Sequence, residues 1–284
     1  MRYYLFIGFV FGALHCMSQV KSTDGLNIYV EDRGKGDTTL LFIHGWNLDH
    51  TFWQYQIDVF RQKYRCVAPD LPGYGRSGSG RSAWSMNSYG SDVRSIIDQL
   101  GLKNVILVAH SMGGNIALEA YTKDPSEIIG IIGVDNFKAV GAEPDSSEAG
   151  QLEAFYAMLE EDYPKNVRLA VEGFMFHENS PADPKEKILS VYAAADPATA
   201  IAVFKAAYKE SSFEAAQLEK TTIPFTLISS VNIPFNEPRF LAHYGGSRFR
   251  NFEMQNTGHF PMFEDPASFN HNLEKALAFM FDNH

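Results

Sequence analysis

The stretch Val105-Ile106-Leu107-Val108-Ala109-His110-Ser111-Met112-Gly113-Gly114-Asn115-Ile116-Ala117-Leu118 decides how the rest of the chain is read. Its first half is an apolar run without polar alternation, as expected of a strand covered on both faces of a parallel sheet. Its second half has the texture of a helix that starts at once, so Ser111 stands at a tight strand-to-helix turn. Such a turn presses neighbouring backbone against the positions two before and two after the serine. Ala109 and Gly113 are small enough to fit, with Ala109 in place of the first glycine of the G-x-S-x-G pattern. Backbone N–H groups at a helix start also point toward any anion that forms beside the serine. A serine that merely caps a helix after a buried strand would look the same in isolation, so the surroundings must decide.

Outward from this turn, short β-like runs alternate with helical segments: Leu26 to Val30, Leu40 to His44, Cys66 to Ala68 and Ile128 to Val134. This predicts an α/β fold, a mostly parallel sheet with helices on both faces. From about Gly141 to Thr222 the texture becomes acidic, Ala-rich and helical, with Pro164, Pro181, Pro184 and Pro197 marking breaks. Strand character returns at Ile223 to Ser230 and at Arg248 to Met254, and an amphipathic segment follows from Ala267 to Phe281. The expected organisation is a sheet core in two parts, 19–140 and 223–284, with a helical cap, 141–222, inserted before the last two strands.

At the N-terminus, Arg2 precedes an uncharged apolar run from Tyr3 to Leu14 and then the small or polar residues around Cys16 to Gln19. That is the pattern of a secretory signal peptide over residues 1–18, and the run is too short for a relaxed membrane span of about 20 residues. The expectation is a secreted or periplasmic protein cleaved near Ser18, without a stable membrane span. Lipid attachment at Cys16 is disfavoured because His15 stands where a small residue is needed. Cleavage would leave Cys66 as the single thiol, read as a buried strand residue. The net charge of −10 and the lack of a long basic run argue against nucleic acid as a partner. They leave the oligomeric state open.

Three further segments give Ser111 its context. His44-Gly45-Trp46 ends one buried strand, Asp70-Leu71-Pro72-Gly73-Tyr74-Gly75-Arg76-Ser77 ends the next, and Asn256-Thr257-Gly258-His259-Phe260-Pro261 follows the last. Together they resemble the α/β-hydrolase superfamily, in the order and spacing of its capped, haloalkane-dehalogenase-like and small serine esterase members. The resemblance implies that Ser111 is the nucleophile and His259 its general base. It also implies that the backbone N–H groups of Trp46 and Met112 form an oxyanion hole. His44 and His110 are then supports, and the glycine-rich stretch after Asp70 is a structural turn. No metal or organic cofactor is expected.

The triad acid departs from the commoner pattern. Most relatives carry an Asp after the strand that follows the cap, but here that loop reads Val231-Asn232-Ile233-Pro234-Phe235-Asn236-Glu237. Gly133-Val134-Asp135-Asn136 ends the strand before the cap, where some members place their acid. Asp135 is therefore assigned, with Glu237 and Asn232 as alternatives. A serine nucleophile argues against displacement at saturated carbon, because an alkyl ether on serine would be a dead end, whereas an acyl ester is cleaved at its carbonyl. The expected partner is a small-molecule acyl substrate, a carboxylic ester by default. The same residues would also suit an acyltransferase or a slow-turnover small-molecule receptor on this fold. Aromatic residues of the cap, among them Phe155, Tyr156, Phe174, Phe176, Tyr192, Phe204 and Tyr208, suggest a partly apolar pocket, with most of them serving the cap's own core.

Overall fold

Among the described residues nine strands follow one another: β1 (Val20–Lys21), β2 (Asn27–Ile28), β3 (Val30–Arg33), β4 (Thr39–Ile43), β5 (Arg65–Pro69), β6 (Val105–His110), β7 (Ile128–Val134), β8 (Phe225–Ser230) and β9 (Phe249–Met254). They belong to a computed structural model that describes residues 20–142, 148–210 and 213–282, so the leader reading, Cys16 included, lies outside the described residues. Seven strands form one sheet in the order β3-β5-β4-β6-β7-β8-β9. The β3–β5 pairing is antiparallel and the other five are parallel. Every residue of β4, β6 and β8 is buried, which is why their sequences show no polar alternation.

The helices are α1 (Gln54–Phe60), α2 (Met86–Leu100), α3 (Met112–Lys123), α4 (Glu148–Glu161), α5 (Tyr163–Phe174), α6 (Ala182–Ala194), α7 (Pro197–Glu210), α8 (Glu214–Glu219), α9 (Glu237–His243), α10 (Pro261–Glu264) and α11 (Pro266–Phe281). Helices α2 and α3 pack together, with α3 on β4, β6 and β7, while α11 packs on β8 and β9 beside α1. Helices thus cover both faces of the sheet. Between β7 and β8 the chain is helical, α4 to α8. Pro164 stands in the first turn of α5 and Pro197 first in α7, where a missing N–H costs no internal bond. Among the described residues, no single helix is long and apolar enough to cross a membrane.

The run Leu26 to Val30, expected to be one strand, is divided at Tyr29. Asn27 and Ile28 pair with Lys21 and Val20, and Val30 to Arg33 then pair with β5. Tyr29 lies between the two partners, with its N–H on Ser77 Oγ at 2.8 Å and its carbonyl accepting from Asp70 N at 2.9 Å. Periodicity alone does not reveal a change of partner within an extended run.

Register places the site. In β6 and β7, Ala109 is opposite Gly133 and His110 opposite Val134, so Ser111 and Asp135 leave adjacent strands side by side. In β7 and β8, Val134 is opposite Ile228, which brings Ser230 beside Asp135. All of these lie at or just beyond the carboxyl ends of parallel strands, where such sheets place their ligands.

Candidate active site

Ser111 sits with φ 53° and ψ −123°, in a region that non-glycine residues seldom occupy. The surroundings hold it there. Its N–H bonds Val134 O at 3.0 Å, its carbonyl accepts from Gly114 N at 2.8 Å, and Asn136 Nδ2 donates to Ala109 O at 2.9 Å, tying the elbow to the end of β7. A Cβ on Gly113 would lie 2.8 Å from Ile43 O and 3.1 Å from His44 O, both backbone. Only glycine lets α3 start this close to β4. The turn raises Ser111 Oγ above the sheet, where it meets His259 Nε2 at 2.8 Å.

His259 Nδ1 lies 2.6 Å from Asp135 Oδ2, completing a chain of two hydrogen bonds from Ser111 to the carboxylate. Asp135 is 3% exposed, and its other oxygen, Oδ1, accepts from Ser230 N and Ser230 Oγ, each at 2.8 Å, and from Lys138 Nζ at 2.7 Å. Burial pushes the carboxyl up, but the His259 hydrogen bond and the Lys138 ammonium hold it well below the usual carboxylate range. It is thus ionised in the folded protein, as the orienting acid of an imidazole must be. Of the two alternative acids, Glu237 is exposed at the start of α9, and the Asn232 amide reaches Phe176 O at 3.5 Å. Neither is hydrogen bonded to His259.

The loop that carries His259 is held by groups the sequence did not single out. Glu264 Oε2 accepts from Gly258 N at 2.9 Å and from Ser180 Oγ, while Oε1 accepts from Phe260 N at 3.0 Å. The N–H of His259 itself donates to Met175 O at 2.7 Å, a carbonyl at the end of cap helix α5. A Cβ on Gly258 would come within 2.3 Å of that oxygen. A glutamate in an otherwise buried segment five residues after the histidine was the available signal, since buried carboxylates need donors.

His44 and His110 act through position. His44 Nδ1 donates to Gly45 O at 2.8 Å and Nε2 accepts from Leu71 N at 2.9 Å, which fixes its tautomer and ties the turn before Trp46 to the end of β5. His110 Nε2 donates to His259 O at 2.7 Å, and burial together with the neighbouring His259 pushes its pKa down to about 3, so it stays neutral. Asp70 closes its own turn, accepting from His50 N and His50 Nδ1 through Oδ1 and from Arg76 N through Oδ2. Among the described residues, Asp49, His50 and Asp70 are the one His/carboxylate group close enough to share a cation. Their oxygens already accept these bonds and those that start the turn at Thr51. Cys66 is fully buried in β5, and burial pushes its thiol up to about 12, which makes it inert.

Ser111, Asp135 and His259 line a cavity of about 480 Å³ together with Trp46 and Met112. The cap supplies Met175, Tyr192, Phe204 and Tyr208 to its wall, whereas Phe174 is 76% exposed at the end of α5. A cleft of about 540 Å³ beside β3 and α1, lined by Tyr29, His50 and Arg76, is of similar size but holds no serine or cysteine beside a base. The Trp46 indole donates to Ala200 O at 2.9 Å, fastening the cap to the strand end below it.

This fold, with a serine on a strained elbow facing an oriented histidine, defines the α/β-hydrolase class. Residues 40–271 match the model of the alpha/beta hydrolase family, and the chain belongs to it. Among similar proteins is the AB hydrolase superfamily protein YisY of Bacillus subtilis, 35% identical over 35% of this chain and 37% of its own length. Another is the bifunctional esterase/perhydrolase DCH of Acinetobacter calcoaceticus, 33% identical over 38% of this chain and 41% of its own. The chain thus matches well under half the length of these relatives. An esterase from Exiguobacterium antarcticum superposes with a TM-score of 0.78 at 24% identity, covering 90% of this chain and 97% of its own. One from Thermogutta terrifontis gives 0.77 at 22%, covering 92% and 97%, and both likenesses speak for the fold.

Proposed function

We propose that the protein is a serine hydrolase that cleaves a carboxylic ester through an acyl-enzyme. The observation that carries this reading is the chain Ser111 Oγ–His259 Nε2 at 2.8 Å and His259 Nδ1–Asp135 Oδ2 at 2.6 Å, opening onto one cavity. His259 takes the Ser111 proton as Oγ attacks the carbonyl carbon, and the Asp135 carboxylate stabilises the resulting imidazolium. The backbone N–H groups of Met112, which as the first residue of α3 has no intrahelical acceptor, and of Trp46 receive the oxyanion. Collapse expels the alcohol, protonated by His259, and water then repeats the cycle on the acyl group. The esterase named among the relatives supports this choice of bond. Export after removal of residues 1–18 remains part of the proposal, resting on Arg2 and the run from Tyr3 to Leu14.

A fluorophosphonate probe should label Ser111, and Ser111→Ala should abolish labelling and lower kcat on an activated ester by about 10⁶-fold with the fold intact. Near-full turnover by pure Ser111→Ala protein would refute the reading.

A further inference from the structure

The cavity beside Ser111 holds one acidic group to which the reaction above gives no task. Glu214, at the start of α8, is 8% exposed and lines the cavity together with Asn115, whose amide hydrogen bonds its carboxyl. Asn115 follows Ser111 by four residues along α3, so the residue that holds this carboxyl stands about one helical turn, roughly 6 Å of axial rise, beyond the nucleophile. Among the described residues no basic side chain pairs with it, and burial pushes it up to about 7. A carboxyl kept from water without a cation or several donors is a costly thing to hold in a cavity wall.

The other charged groups that share the cavity are engaged with one another. Lys138 Nζ bonds Asp135 Oδ1 at 2.7 Å and Ser230 O at 3.1 Å, and Asp135 holds His259. The remaining wall is largely aromatic: Trp46, Tyr192, Phe204 and Tyr208, with the Trp46 ring 4.8 Å from that of Phe204 and 5.4 Å from that of Tyr192. Aromatic rings and a carboxylate lining one cavity are the combination that stabilises a desolvated ammonium. A neutral alkyl chain needs only the rings, and an anionic one would be repelled.

We propose that Glu214 and this ring wall make the cavity a site for esters that carry an ammonium group, recognised about one helical turn from the reacting carbonyl. The proposal rests on the serine-hydrolase reading and adds a substrate class to it. The ammonium could belong to the acyl part or to the alcohol part, so the test has two arms. One compares the p-nitrophenyl esters of 4-(trimethylammonio)butanoate and 5,5-dimethylhexanoate; the other compares choline butyrate with 3,3-dimethylbutyl butyrate. Each pair differs in charge at nearly constant shape.

At about pH 8.5 the ratio of kcat/KM, charged over neutral, should be about tenfold or more in one arm. It should fall several-fold toward about pH 5.5 as Glu214 is protonated. Only enzyme with His259 neutral turns over either ester, so that titration divides out of the ratio. The other titratable groups facing the cavity are Lys138 and His259, both paired with Asp135, and Tyr208. In Glu214→Gln the ratio should drop toward one and lose its pH dependence. If that variant fails to fold, the pH dependence of the wild-type ratio decides alone. A ratio at or below one in both arms, or one flat with pH, overturns the proposal while labelled Ser111 and turnover of the neutral esters leave the hydrolase reading standing. Absence of both labelling and turnover would remove the two together.

Discussion

The ends of β7 and β8 lie side by side, and each is a place where this fold can mount an acid. At the end of β7, Asp135 takes a left-handed backbone conformation with φ 48° and points one oxygen at His259. At the end of β8, Ser230 presents an N–H and a hydroxyl, and both go to the other oxygen of Asp135. One strand end supplies the charge, held ionised by His259 and Lys138, and its neighbour supplies two donors to the oxygen that His259 leaves free. A loop after β8 without an aspartate is therefore not an incomplete site. The two strand ends divide the work.

The strongest test of this division is Asp135→Asn, which should keep the fold but lower kcat/KM on an activated ester by about 10⁴-fold, because the imidazole loses both its counter-charge and its tautomer preference. A mild effect there would return the acid to the loop after β8. Next in size, Ser230→Ala removes one donor to the charged carboxylate and should cost about tenfold in kcat, leaving KM nearly unchanged. An effect on KM alone would show that the hydroxyl serves substrate instead.

Lys138 sharpens the comparison through pH. With the ammonium gone in Lys138→Met, the full charge of Asp135 acts on His259 and favours imidazolium, so the acid limb of the kcat/KM profile should move to higher pH by about one unit. A shift to lower pH would contradict the pairing at Asp135 Oδ1. The smallest expected effect is that of Glu237→Gln, within about twofold on every kinetic constant, since this side chain is exposed at the start of α9.

What the sequence discloses follows the range of the interaction that each residue obeys. The elbow at Ser111 is marked locally, by small residues at 109 and 113 around a serine and an apolar run before it that announces a strand buried on both faces, although the backbone that Gly113 makes room for belongs to Ile43 and His44. The division of the Leu26 to Val30 run is not local, because it depends on Ser77 and Asp70 reaching Tyr29. Asp135 could be singled out because the loop after β8 holds no aspartate, but its partners could not. Ser230 lies 95 residues away in sequence, and nothing in Phe225 to Ser230 marks that serine as a donor to a buried carboxylate. Glu214 stayed invisible for the same reason, since a glutamate in a helix is usually a solvated one and only packing shows otherwise.

The bond from His259 N to Met175 O makes the cap and the strand-end loop parts of one joint, with Gly258 leaving room for the contact. Were the inserted helices a separate cassette, grafting another cap in their place would alter what enters and leave the chemistry alone. In this chain such a graft would remove the ledge on which the histidine rests. A transplanted cap has to bring a carbonyl to the same point as Met175, and a serine to Glu264 as Ser180 does, before its new lining can matter.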